Sequence, residues 1–365
     1  MKSSRILRLP SSKVSIHRLE MLQSQLFAMQ TFAGGNSEKL AWLQGASKCH
    51  NAKVSSNNYF ISEPYRELLG STTDFYKSLA PMVKNTFSQD QITYKNAYII
   101  FDLLNVASIH NSSDNFPSSE LLTDSTYSRL LELANIHEFN LAYNESEPIR
   151  AVSGSVLAGE ILTAFKDLIY SKGEATKLNV QFGAYATFLS FFGLTELSKA
   201  YNDFNGIPDY ASAMAFELVT DSSSSSFPDP SDISVRFLFN NGSIPYGSKP
   251  SEFALFNQPK TVLPWSEFSA LMEKISLSSK KEWCKACGSK SGECAPNRLG
   301  AEPETPQDRR SAHDPGGCLL GARTTMGAIL CCPGPLYAGS GGFRFGAKIP
   351  KWFRSMEGGG RRKVE

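Results

Sequence analysis

At 365 residues and 40.1 kDa the chain can hold one large domain or two ordinary ones, and 41% hydrophobic with 20% charged residues is a globular composition. A formal charge of +2 excludes the strongly basic footprint of a nucleic-acid binder. No run of about 18 apolar residues is present to span a bilayer, and the start MKSSRILRLPSSKVS lacks the apolar stretch of about 7–15 residues that a secretory leader needs.

In chain order, Leu19, Leu22, Leu26 and Met29 recur at helical spacing, and Gly34-Gly35 ends that helix. Residues 36–62 are polar, rich in Asn and Ser, and read as loop with short turns. Helices are predicted over about 63–87 and 94–109, separated by Ser88-Gln-Asp-Gln. A loop follows, then a helix opening near Asp124 or Ser125 with Tyr127, Leu130, Leu131 and Ala134 on one stripe. The segment Ser153 to Tyr170 is a helix with Val156, Leu157, Gly159, Ile161, Leu162 and Phe165 mostly inward. Next comes KLNVQFGAYATFLSFFGL, Lys177 to Leu194. Leu178, Val180 and Phe182 alternate with polar residues, Gly183 and Ala184 interrupt, and Phe188 to Leu194 crowd at helical spacing. This predicts a core strand, a turn and an apolar helix, the arrangement in which α/β enzymes place chemistry at the carboxyl end of a strand.

Tyr210 to Leu218 is short and apolar, the serines from Ser222 to Ser226 are a surface loop, and Val235, Phe237 and Phe239 mark a strand buried partly on both faces. Phe268, Leu271, Met272 and Ile275 give an amphipathic helix behind Pro264. Past Pro296 nearly half of the 27 glycines gather without any sustained period, so residues 297–365 are expected to be a disordered, low-complexity tail ending in a basic run. A solvated tail is preferred there over membrane association.

Three sequons, Asn111-Ser-Ser, Asn144-Glu-Ser and Asn241-Gly-Ser, are glycosylation candidates. Cys284, Cys287 and Cys294 cluster in a Gly-rich loop with Cys49 far upstream. A zinc site wants four ligands, and no second CxxC or HxxxH stands nearby, so disulfides are the preferred reading. Cys287 is expected to pair with Cys294 and Cys284 with Cys49. The alternative joins Cys284 to Cys294 and leaves Cys287 free.

Four segments occur in order: Ser153-Gly-Ser-Val-Leu-Ala-Gly-Glu160, Asp209-Tyr-Ala-Ser-Ala-Met-Ala-Phe-Glu217-Leu, Val235-Arg-Phe-Leu-Phe-Asn-Asn-Gly242 and Trp283-Cys-Lys-Ala-Cys-Gly288. With the central Lys177–Leu194 stretch, this series resembles the fungal histidine acid phosphatases, of the phosphoglycerate-mutase-like fold, from about Ser15 to Pro296. The resemblance implies an α/β fold, a mixed sheet flanked by helices, with an α-helical cap inserted at roughly 36–125 of a domain spanning 1–296. It also implies a secreted or cell-surface protein, and hence that an original N-terminus bearing the first strand is missing from the chain.

Such enzymes attack phosphorus with an imidazole, clamp the phosphoryl oxygens with arginines and protonate the leaving alkoxide with an acid. Their Arg-His-Gly-x-Arg-x-Pro motif does not occur in these residues. Arg18, ahead of Ser24-Gln25-Leu26-Phe27, resembles a phosphate-contacting arginine about one residue out of register, against the alternative of a surface arginine. Where the family has Phe-Gly-Ala-His-Asp, this chain has Phe182-Gly183-Ala184-Tyr185-Ala186. Alanine donates no proton, and a phenol with a reference pKa near 10 is a poor acid. Tyr185 then either lines a phosphate pocket with Gly183, Ala184 and Ala186 or is a packed aromatic with a satisfied hydroxyl. His17, His50, His110, His137 and His313 are isolated, so neither a catalytic triad nor a metal site is expected, and no cofactor is implied. The expectation is a family relative that does not hydrolyse phosphomonoesters. The alternatives are a weakly active phosphatase and a secreted or cell-surface protein that binds a phosphorylated small molecule or is structural.

Overall fold

The computed structural model describes residues 5–6, 45–110, 121–175, 177–222, 226–242 and 249–296. The helix expected at residues 19–29, Arg18, Asn111 and the tail from 297 onward lie outside the described residues.

The first part is helical. Helix α1 (His50–Asn58) stands where a loop was expected. The polar composition misleads because its inner face is Ala52, Ser55 and Ser56, small residues that let the helix lie close to its neighbours. Ser56 Oγ donates to the Leu141 carbonyl at 2.8 Å, and Ser55 Oγ accepts from Arg150 Nε at 3.1 Å. Hydrogen bonds to buried partners replace the missing apolar anchors. The helix expected over 63–87 is three: α2 (Glu63–Ser71), α3 (Thr73–Ser78) and α4 (Ala80–Val83). Ser62 caps α2, and Pro81, which has no N–H to donate, opens α4. Helix α5 (Ala97–His110) follows a Ser88–Gln91 capping box and a short 3₁₀ turn. Helix α6 (Asp124–Ala142) is capped by Thr123, whose hydroxyl accepts from Thr126 N at 3.2 Å, rather than by Asp124 or Ser125. Tyr76, Leu79, Tyr94, Ile100, Leu104 and Leu130 fill a core of their own between these helices.

The second part carries the sheet. Helix α7 (Val152–Tyr170) packs against α8 (Tyr185–Leu194), which the short α9 (Leu197–Ala200) follows. Strand β1 (Arg5–Ile6) pairs with the end of β2 (Ala213–Thr220), and β2 pairs along its length with β3 (Ile233–Asn240) in a register that sets Phe216 opposite Phe237. On its other side β3 takes the short strands β4 (Ser251–Glu252) and β5 (Val262–Pro264). Helix α10 (Trp265–Ile275) closes the core, its Phe268 and Met272 belonging to one buried cluster with Phe237, Leu189 and Phe191.

Two expectations for the sheet are corrected. Every pairing among the described residues is antiparallel, so the sheet they form is not mixed. The predicted core strand at 178–182 is not a strand: Leu178 and Phe182 are 61% and 64% exposed. Period-2 alternation specifies an extended chain, but a strand also needs a neighbour in register.

Helix α11 (Lys280–Ala286) opens with a capping box of Ser279 and Glu282, so Cys284 lies in a helix and not in a glycine loop. The disulfides are Cys49–Cys287 and Cys284–Cys294. The expected pairing is therefore exchanged, and the alternative holds for Cys284–Cys294 but not for a free Cys287. The geometry explains it. Asn51, in the first turn of α1, donates to the Ala286 carbonyl at 2.9 Å and seats Cys49 at the end of α11, beside Cys287. Gly288 and Gly292, both at positive φ, then turn the chain back so that Cys294 meets Cys284. Trp283, buried among these cysteines, donates from Nε1 to the Gly45 carbonyl at 2.7 Å.

Candidate functional site

The site picked out by sequence is the start of α8. Gly183 and Ala184 are exposed, and Ala184 holds the N-cap position without a side-chain cap. Tyr185 is the first helical residue and turns inward, and Ala186 behind it contributes its carbonyl to Ser190 Oγ at 2.8 Å. The four residues are contiguous but do not share a role. Only Tyr185 brings a functional group to the interior.

What Tyr185 meets is the functional content of the site. Its hydroxyl donates to Glu138 Oε2 on α6 at 2.7 Å, and its ring packs on Tyr98 of α5 at a centroid distance of 4.6 Å. Glu138 Oε1 in turn lies 2.7 Å from His137 Nδ1, and both of those side chains are largely buried. At the outer edge Tyr210, before β2, donates to Asp102 Oδ1 on α5 at 2.7 Å. Three phenols and two carboxylates therefore converge where α5, α6 and α8 meet.

The electrostatics follow from that list. Burial first, then the Glu138 carboxylate and the neighbouring Tyr98, drive the Tyr185 hydroxyl far above the ordinary phenol range. Tyr98 is pushed the same way, by burial and then by Asp102, Tyr210 and Glu138. Tyr185 is thus a fixed hydrogen-bond donor that does not release its proton. Among the described residues His137 is the basic side chain paired with Glu138, and Asp102 has no basic partner. Among the described residues no arginine or lysine pairs with either carboxylate, and a clamp of that kind is what a phosphate dianion requires.

Behind Glu138, the His137 ring sits among Tyr94, Phe60, Tyr59 and Tyr65 at centroid distances of 5.3–6.3 Å. Its Nε2 is buried without a hydrogen-bond partner among the described residues. Tyr59 and Tyr94 share a hydroxyl contact at 2.8 Å, and burial raises the pKa of both. His137 and Glu138 join the aromatic core of the helical part to Tyr185, which belongs to the core of the sheet-bearing part.

In the sequence His137 stands isolated, and Glu138, Tyr98, Asp102 and Tyr210 carry no site motif. A usable signal was present: His137 continues the inward stripe of Leu130 and Ala134, and a polar residue on a buried stripe needs a partner. No group of three or more His, Cys, Asp or Glu side chains among the described residues is arranged to hold a metal ion. Asn144 and Asn241 are both at the surface or partly so. Among the described residues no helix is long and apolar enough to cross a membrane. The chain matches no protein-family model and no curated protein.

Proposed function

We propose that this chain is a relative of the histidine acid phosphatases, of phosphoglycerate-mutase-like ancestry, in which the position of the catalytic His-Asp pair has become a structural joint. The observation that carries the reading is the 2.7 Å hydrogen bond from the Tyr185 hydroxyl to Glu138, with Ala186 beside it. The joint replaces an imidazole and a carboxylic acid by a phenol that keeps its proton and a methyl group. Without a proton donor the leaving alkoxide is not assisted, a loss of about 10²–10⁴-fold where the rest of the machinery is present. Glu138 and Asp102 further disfavour a phosphate dianion at this place.

The structural reading is favoured over phosphate binding because both oxygens of Glu138 are taken up within the protein, Oε2 by the Tyr185 hydroxyl and Oε1 by His137 Nδ1. Binding of a phosphorylated small molecule rests on Arg18 alone. Two buried disulfides support an exported protein, since such bridges persist in oxidising compartments.

The test is turnover of a generic aryl phosphate by the full chain between pH 4 and pH 7, with calorimetric titration of inorganic phosphate. Neither turnover nor saturable binding is expected. Phosphatase activity abolished by Arg18→Ala or Tyr185→Phe would overturn the proposal and require a nucleophile not identified above.

A further inference from the structure

The two sequon asparagines among the described residues differ in what their amides do. Asn241, directly after β3, is engaged through both its amide oxygen and its amide nitrogen. Its Oδ1 accepts from Asp209 N at 2.8 Å and from Ser212 Oγ at 2.9 Å, and its Nδ2 donates to Asp209 Oδ2 at 3.3 Å. Gly242 N donates to the same Ser212 hydroxyl at 2.8 Å. This asparagine clamps the loop before β2 onto the end of β3, and its Nδ2 faces a carboxylate.

Asn144 lies in the connection between α6 and the 3₁₀ turn Pro148–Ala151. Its Oδ1 accepts from the backbone N of Ser146, the third residue of the sequon, at 2.9 Å, which leaves Nδ2 without a hydrogen bond among the described residues. Ser146 is exposed, and its hydroxyl makes no hydrogen bond there either. The intervening Glu145 is paired with Lys199 Nζ at 2.7 Å. Among the described residues the amide nitrogen and the hydroxyl that a sequon must offer have no hydrogen-bond partner, and they lie on one turn.

We infer that Asn144 is an N-glycan acceptor and that Asn241 is a structural asparagine left unmodified. The donor is a lipid-pyrophosphate-linked oligosaccharide. A bond forms between Asn144 Nδ2 and the sugar's anomeric carbon as the bond from that carbon to the pyrophosphate oxygen breaks. The lipid pyrophosphate leaves, and Nδ2 gives up one proton to solvent. The inference depends on export to a compartment with this chemistry and is independent of the phosphatase ancestry.

The experiment translates the full chain behind a secretory leader in the presence of endoplasmic-reticulum vesicles, so that translocation is imposed. Protease-protected chains are recovered, and glycan occupancy is read by peptide mass spectrometry, with asparagine-to-aspartate conversion on enzymatic glycan release. The expected result is a glycan at 144, its loss in Asn144→Gln and in Ser146→Ala, and an unmodified Asn241. Protected chains bare at Asn144, or carrying a glycan at Asn241, overturn the inference.

Discussion

Tyr185 and Glu138 hold each other in a way that predicts how each fails alone. Removing the hydroxyl in Tyr185→Phe leaves Glu138 Oε2 in a largely buried place without its donor. A buried acceptor stripped of its partner costs about 1–3 kcal/mol, so chemical denaturation should show a loss of that size. The double variant with Glu138→Gln should lose less than the sum of the two single changes, since the groups share one bond. Additive losses would show that the contact does not couple them. A second residue-scale effect concerns acid. Hydrogen bonds from Ser55 first, then from Asn58 and Arg150, with the Arg150 charge adding to them, hold the Glu147 carboxyl below its ordinary value. A depressed carboxyl contributes stability that is present above the unfolded value near 4.3 and lost as pH falls through the lower folded one. Glu147→Gln should therefore flatten the acid limb of the stability–pH curve below about pH 4.3. An unchanged limb would place the acid sensitivity elsewhere. Glu147 is partly solvated, so the effect is that of a screened pair.

Elements pack through small residues as much as through large ones, and this decided what the sequence could reveal. A Cβ added at Gly154 on α7 would stand 2.6 Å from the backbone nitrogen of Phe191 on α8. Beside it Ser153 and Ser190 exchange a hydroxyl contact at 3.0 Å. Gly154→Ala must therefore force the two helices apart, at a cost of about 1–3 kcal/mol or more. Gly70→Ala at the exposed end of α2 meets nothing within 4 Å and should be neutral or stabilising by about 0.5–1 kcal/mol. Equal melting temperatures for the two variants would contradict this account of the α7–α8 contact. The same physics explains which elements were legible. Helices α7 and α10 and strand β3 bury long apolar side chains at their own period, so their pattern was readable. Helix α1 buries alanine and serine, and α11 begins at a polar capping box, so neither announced itself by hydrophobicity. The alternation at Leu178 to Phe182 was read as a core strand and is not one, because strand pairing is a non-local property that alternation alone does not supply. Tyr185 was singled out from the sequence, as either a pocket residue or a packed aromatic. Its partners Glu138, Tyr98, Asp102 and Tyr210 were not, because they come together from separate segments only when the helices fold.

At the scale of the whole molecule, two covalent links close loops of very different length. Cys49–Cys287 joins residues 238 apart in sequence and ties the start of α1 to the end of α11, whereas Cys284–Cys294 spans 10 residues within one surface corner. In the chain-entropy description a bridge stabilises by restricting the unfolded chain, and the restriction grows with the logarithm of loop length. That gives about 5 kcal/mol as an upper figure for the long loop and about 3 kcal/mol for the short one. The long bridge also fastens α1, which buries little apolar surface with its inner face of small residues and is otherwise held by hydrogen bonds at Asn51, Ser55 and Ser56. Replacing Cys49 and Cys287 together by alanine should therefore lower stability more than replacing Cys284 and Cys294 together. The first variant should also become susceptible to proteolysis within residues 45–62 while the sheet-bearing part resists. The reverse order of stabilities, with residues 45–62 still protected when Cys49 is absent, would mean that the Trp283–Gly45 and Asn51–Ala286 hydrogen bonds hold this corner without the sulfur link. Because each pair is removed as a pair, neither variant leaves half of a broken bridge, and Cys318, Cys331 and Cys332 are common to both, so the difference between the two variants reports chiefly the unequal loop lengths.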